Sequence, residues 1–133
     1  MKIRDLVSNK ESFFKLIQCY WDSPKKSYSF YKFYTEAEKE ILFFERERAK
    51  LAKQFGESKD GTIYSIKEEN KSMYLDELNK VLDTDVEIIN PEITIEDVSN
   101  VQYTGDKSEW ISPVEMYKLE SFLNKFDNKK ENA

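Results

Sequence analysis

Residues 24–56 read PKKSYSFYKFYTEAEKEILFFERERAKLAKQFG, and this stretch decides the fold. From Lys26 to Gln54 there is neither glycine nor proline. Phe30, Tyr34, Ala37, Ile41, Phe44, Arg48, Leu51 and Phe55 recur at alternating spacings of four and three. That is a heptad seam with a single charged member. Gly56 stands where the residue ending a helix belongs. The spacing predicts a helix over 26–54, about 43 Å long at 1.5 Å per residue. Such a rod exceeds the width of a domain of 133 residues, so one end projects or meets another chain.

Before it, a helix is expected over Asn9–Asp22, capped by Asn9, with Phe13, Leu16, Ile17, Tyr20 and Trp21 on one stripe. Ser23-Pro24 ends it. After Gly56, Asp60-Gly61 ahead of a β-prone run signals a short β-hairpin. Ser65 and Glu68 have capping-box spacing and open a third helix to Leu82, with Met73, Tyr74, Leu78, Val81 and Leu82 inward. The two long helices then form an antiparallel hairpin. Val86, Ile88 and Ile89 read as a strand, Asn90-Pro91 as a turn, and Ile93-Thr94-Ile95 as a second strand; Val101-Gln102-Tyr103 adds a third. Ser112-Pro113-Val114-Glu115 is a double helix start. That helix is expected to reach about Asn124, burying Val114, Tyr117, Leu119 or Phe122, and Leu123. The expected fold is a predominantly helical α+β domain over residues 1–126, with a small sheet and a C-terminal helix, followed by a flexible tail over 127–133.

Composition narrows the chemistry. There is no histidine, which removes Ser-His-Asp and Cys-His nucleophile pairs and the commonest general base. Cys19 is the one cysteine and falls on the apolar stripe, as a small core residue would. No phosphate-loop, dinucleotide-binding or zinc-protease motif occurs. No cofactor is expected, and the expected class is a binding protein rather than an enzyme. Charges scattered through residues 1–23 leave no signal-peptide pattern, and no apolar run is long enough for a membrane span.

Charge is uneven. Residues 1–66 carry 13 basic and 10 acidic side chains; residues 67–133 carry 8 and 16. The two halves are either ordinary solvated faces or faces that meet head to tail in an oligomer. Within the acidic half, Asp83, Asp85 and Glu87 would share one face of a strand. Their readings are a solvated face, a partner surface or a divalent-cation site lacking the glycine and distal glutamate of an EF-hand. Arg48, on the seam, calls for a carboxylate if the seam is closed: Glu45 from the same helix or Glu77 from the next. Otherwise the seam opens and Arg48 snorkels. Tyr28, Phe30, Tyr31, Phe33 and Tyr34 are too many aromatics for one helical face. Tyr28, Tyr31 and Phe33, with Trp110, are therefore candidate partner-binding residues. The alternative is that the first helix covers them through Phe13, Phe14 and Trp21. Stacking of single-stranded bases beside Lys25, Lys26 and Lys32 is disfavoured by the net charge of −5.

Phe44, Arg48, Leu51 and the terminal Phe55-Gly56 form a pattern that resembles the central helix of a small family encoded by tailed bacteriophages and prophages. Asp60-Gly61, Glu69-Asn70, Leu82-Asp83, Val86-Glu87-Ile88 and Ile111-Ser112-Pro113 with Leu119-Glu120 and Phe122 extend the resemblance over about residues 24–123. Thr104–Trp110 is an extra loop relative to that pattern, and Tyr28–Tyr34 is more aromatic than it requires. The resemblance implies a phage context and an α+β hairpin, and supplies no catalytic activity. The expected role is a virion, assembly or self-associating structural protein in the virion or host cytoplasm. The alternative is an inhibitor that meets a host protein through the acidic surface. The expected partner is a protein, itself included as a homo-oligomer, rather than nucleic acid or membrane.

Overall fold

A computed structural model describes the backbone of residues 1–131 and the side chains of residues 1–126. Helix α3, Pro24–Phe55, dominates it. Ser23 does more than end the preceding segment: its Oγ accepts the Lys26 N–H at 3.2 Å, and Pro24 opens the helix, where a missing N–H costs nothing. At 32 residues the rod is about 48 Å long.

Ahead of α3 the chain forms two short helices, α1 (Ile3–Ser8) and α2 (Lys10–Ile17), in place of the single one expected. Asn9 lies between them, and its side chain caps nothing. Its Nδ2 donates back to the Asp5 carbonyl at 2.9 Å. The chain then leaves helical geometry after Ile17, so Tyr20 turns out to solvent rather than inward.

After α3, β1 (Gly56–Glu57) pairs antiparallel with β2 (Ser65–Ile66). The expected turn lies between them. Gly61 adopts φ +81°, and the Asp60 carboxylate accepts from the Thr62 and Ile63 N–H groups and from the Thr62 hydroxyl. Gly56 has no room for a side chain, because a Cβ would lie 2.6 Å from the Ala52 carbonyl oxygen. Ser65 belongs to β2, so it caps no helix; a single 3-10 turn at Glu68–Asn70 leads into α4, Lys71–Leu82. Helix α4 lies along the C-terminal half of α3.

The expected strands over 86–95 do not form. Residues 84–86 instead meet the N-terminal segment: the Val86 N–H donates to the Met1 carbonyl at 2.7 Å and the Ile3 N–H to the Thr84 carbonyl at 3.0 Å. Residues 87–93 then run as a strap along α3. The Ile89 N–H donates to Glu36, and the Ser29 hydroxyl donates to the Pro91 carbonyl. Thr94 is an N-cap, paired reciprocally with Asp97 at the start of α5, Ile95–Ser99. The third expected strand is one isolated bridge between Gln102 and Tyr20. Among the described residues, the β content of this α+β fold is thus the β1–β2 hairpin and two isolated bridges.

The final helix, α6 (Pro113–Glu131), starts with the expected box: Ser112 and Glu115 exchange backbone–side-chain hydrogen bonds at 3.0 and 3.2 Å. It passes Asn124 and takes in the first five residues of the expected tail; residues 132–133 lie outside the described residues. Val114 and Tyr117 face solvent, while Leu119, Phe122, Leu123 and Phe126 are buried. The core gathers Leu6, Phe13, Leu16, Phe30, Phe33, Ala37 and Ile41 against Val98, Val101 and this α6 face. It stops at Ile41 along α3. Beyond that point α3, the hairpin and α4 form an arm in which α4 has no fully buried side chain.

Candidate functional site

The aromatic run divides between core and surface. Phe33 is wholly buried, so it leaves the candidate partner surface. It meets Phe13 edge-on at 5.1 Å and Phe122 at 5.7 Å. The cover comes from α2 and also from α6, whose phenylalanines supply a second wall. Tyr28 and Tyr31 remain outside, 61% and 56% exposed, with rings stacked at 6.3 Å. Lys32 Nζ lies 5.5 Å from the Tyr28 ring. Trp110 is half-exposed and stacks on Tyr103 at 5.2 Å, while its Nε1 donates to the Gly105 carbonyl at 3.3 Å. The extra loop thus folds onto its own tryptophan.

The seam opens at Arg48. Among the described residues no carboxylate lies within ion-pair reach of its guanidinium, which rests 5.6 Å from the Phe44 ring and is exposed. The expected partners are engaged elsewhere: Glu45 with Lys10 and Glu77 with Lys80. Exposed Arg48 needs no partner, because water solvates its guanidinium beside the Phe44 ring.

Basic front and acidic back meet within one chain. Lys26 Nζ contacts Asp97 at 2.7 Å, Lys15 contacts Glu115 at 2.8 Å and Arg4 contacts Asp83 at 3.1 Å; in the opposite sense, Lys125 of the acidic half pairs with Asp5 of the basic half. Burial alone would raise the Asp97 and Glu115 carboxyls. The lysine hydrogen bonds, with the helix-start N–H groups, outweigh it and hold both below the usual carboxylate range. Asp83 is the residue after α4 and is bound by its own chain, whereas Asp85 and Glu87 are exposed without an ion-pair partner among the described residues. No grouping of three or more acidic or cysteine side chains at metal-binding spacing occurs among the described residues. Cys19 is buried; its Sγ donates to the Lys15 carbonyl at 3.2 Å, and burial raises the thiol, which disfavours the reactive thiolate.

The surface feature that sequence reasoning missed lies between α2 and α3. An apolar groove of about 310 Å³ has Phe13, Ala37 and Ile41 as its floor and Tyr34 on one wall. Its rims carry Phe14 and Leu42, 56% and 50% exposed. The signal was present in the paired apolar residues Phe13-Phe14 and Ile41-Leu42. Neighbours on a helix point about 100° apart, so one of each pair must leave the core. The arm exposes further apolar side chains: Phe43, Ile63, Met73 and Leu75. Met73, expected inward, is 57% exposed, while Tyr74 and Leu78 are half-buried.

Comparison with protein-family models, with curated proteins and with solved structures finds no match for this chain.

Proposed function

We propose that this chain acts by binding another protein, as a non-enzymatic structural or assembly component in a phage setting. One observation carries the binding half of this reading. The core is closed, yet Phe14, Leu42 and Phe43 stay in water along the outer side of α2 and α3. Isolated exposed apolar residues are ordinary. Large ones that rim an apolar groove are a mark of interaction surfaces. The phage setting rests on the resemblance around Phe44, Arg48, Leu51 and Phe55-Gly56.

The test is affinity purification of the tagged chain from phage-producing cells, with the Leu42→Asp and Phe14→Ser variants alongside. Recovery of head, tail or assembly proteins by the wild type, lost in the variants, is the expected result. Recovery of one host enzyme would favour the inhibitor reading instead. That second reading draws support from Asp85 and Glu87, whose carboxylates are exposed and have no ion-pair partner among the described residues. Asp85→Lys/Glu87→Lys would then abolish capture.

A further inference from the structure

We infer that the α2–α3 groove receives an amphipathic helix of a partner protein, one with leucine-type anchors on one face and lysine or arginine beside them. This deepens the protein-binding reading and rests on it.

Three features carry the inference. The first is shape. The groove lies between two helices; its Phe13, Ala37 and Ile41 floor is closed off by the core, so a third helix would seat on its Tyr34, Phe14 and Leu42 walls. A helix packed there would present side chains at i, i+4 and i+7 to those walls. The second is the apolar rim, since Phe14 and Leu42 flank the opening and would close over such anchors. The third is charge. Glu11 stands on the α2 side and Glu38 on the α3 side, and Lys10 pairs with Glu45 at one end. Three carboxylates thus face one ammonium. Among the described residues neither Glu11 nor Glu38 has a cation within ion-pair reach, while Glu38 is hydrogen-bonded to the Tyr34 hydroxyl on the groove wall. Carboxylates without a counter-cation on both walls favour a cationic visitor and repel an acidic one.

Other surfaces carry less. The Tyr28–Tyr31 stack is already occupied by Lys32, and the acidic cleft beside α4 contains Lys80 bound to Glu77.

The test uses two short synthetic helical peptides, one of leucine and lysine and one of leucine and glutamate with the same leucine spacing. Binding to the full chain is followed by fluorescence anisotropy and located by backbone amide shifts. The lysine peptide is expected to bind, moving the Phe14, Ala37 and Leu42 amides. Glu11→Lys/Glu38→Lys is expected to weaken it about tenfold and to admit the glutamate peptide. Leu42→Asp should reduce binding of the lysine peptide. These positions are exposed, so circular dichroism should show unchanged folding. No binding, equal binding of both peptides, or shifts confined to another surface would each overturn the inference. So would a wild-type dimer in sedimentation that Leu42→Asp dissociates, since a second copy would then fill the groove. A native partner captured equally by wild type and by both groove variants would overturn the groove assignment and leave the protein-binding reading standing. Peptide binding as expected, with no native partner captured from any phage-producing cell, would support the groove's chemistry and count against the phage setting.

Discussion

Phe33 and Tyr31 are two positions apart on one helix and have opposite fates. Phe33→Ala is expected to cost about 3–5 kcal/mol, because it empties a site walled by Phe13, Phe122 and Phe126. Tyr31→Ala should cost less than about 1 kcal/mol, since its ring is already half in water. Urea midpoints of the two variants check this directly. The sequence alone separated these residues poorly. A seam of fours and threes selects Phe30 and Tyr34, and Phe33 is needed only because α6 supplies a second wall from ninety residues away. Asp60 gives another residue-scale prediction. Its turn hydrogen bonds lower its carboxyl to about 2 from 3.8. The sign is that of a depressed acid: the stabilisation is complete above about pH 4 and disappears as pH falls through about 2. Exchange of the Thr62 and Ile63 amides should accelerate across that window, and in Asp60→Ala it should be fast at every pH.

Some local signals were plain and others misled, as Asn9 and Ser65, expected to cap helices, cap none. Ser112 with Glu115 and the Asp60-Gly61 turn were legible because each is settled within four residues. Thr94 with Asp97 was equally local, but the alternation of Ile93-Thr94-Ile95 imitated a strand. The capping box won because no neighbouring strand was available to accept the ladder. Helix α1 was not legible, since its six residues are held by Thr84 and by α3 rather than by their own periodicity. Ser23→Ala should lower stability by about 1 kcal/mol, removing the cap of the central helix. A larger test compares the core half of α3 with α4. Hydrogen exchange should show the Phe30–Ile41 amides at least about tenfold better protected than those of α4, because only the former lie in the core.

For the molecule as a whole, the ion pairs join distant parts of the chain. Lys15 reaches Glu115, Lys26 reaches Asp97 and Lys125 reaches Asp5. The three carboxyls are held low in the folded state, so their contribution is complete above the ordinary carboxylate range and fades as pH falls through their lowered values. Stability should therefore drop below about pH 4, and Lys15→Met/Lys26→Met should flatten that slope in acid-titrated urea curves. The charge imbalance was plain in the sequence; that the chain spends part of it on itself was not, because pairing across 71 to 120 residues is a property of the fold. The arm has a different consequence. A helix that buries no side chain completely places few demands on what its outward residues are. In a saturation library selected only for folding, α4 should accept substitutions at most positions outside Tyr74, Leu78, Val81 and Leu82, while the Phe13–Phe33–Phe122 cluster accepts almost none. Helix α4 is thus the element of this protein freest to change its sequence without losing the fold.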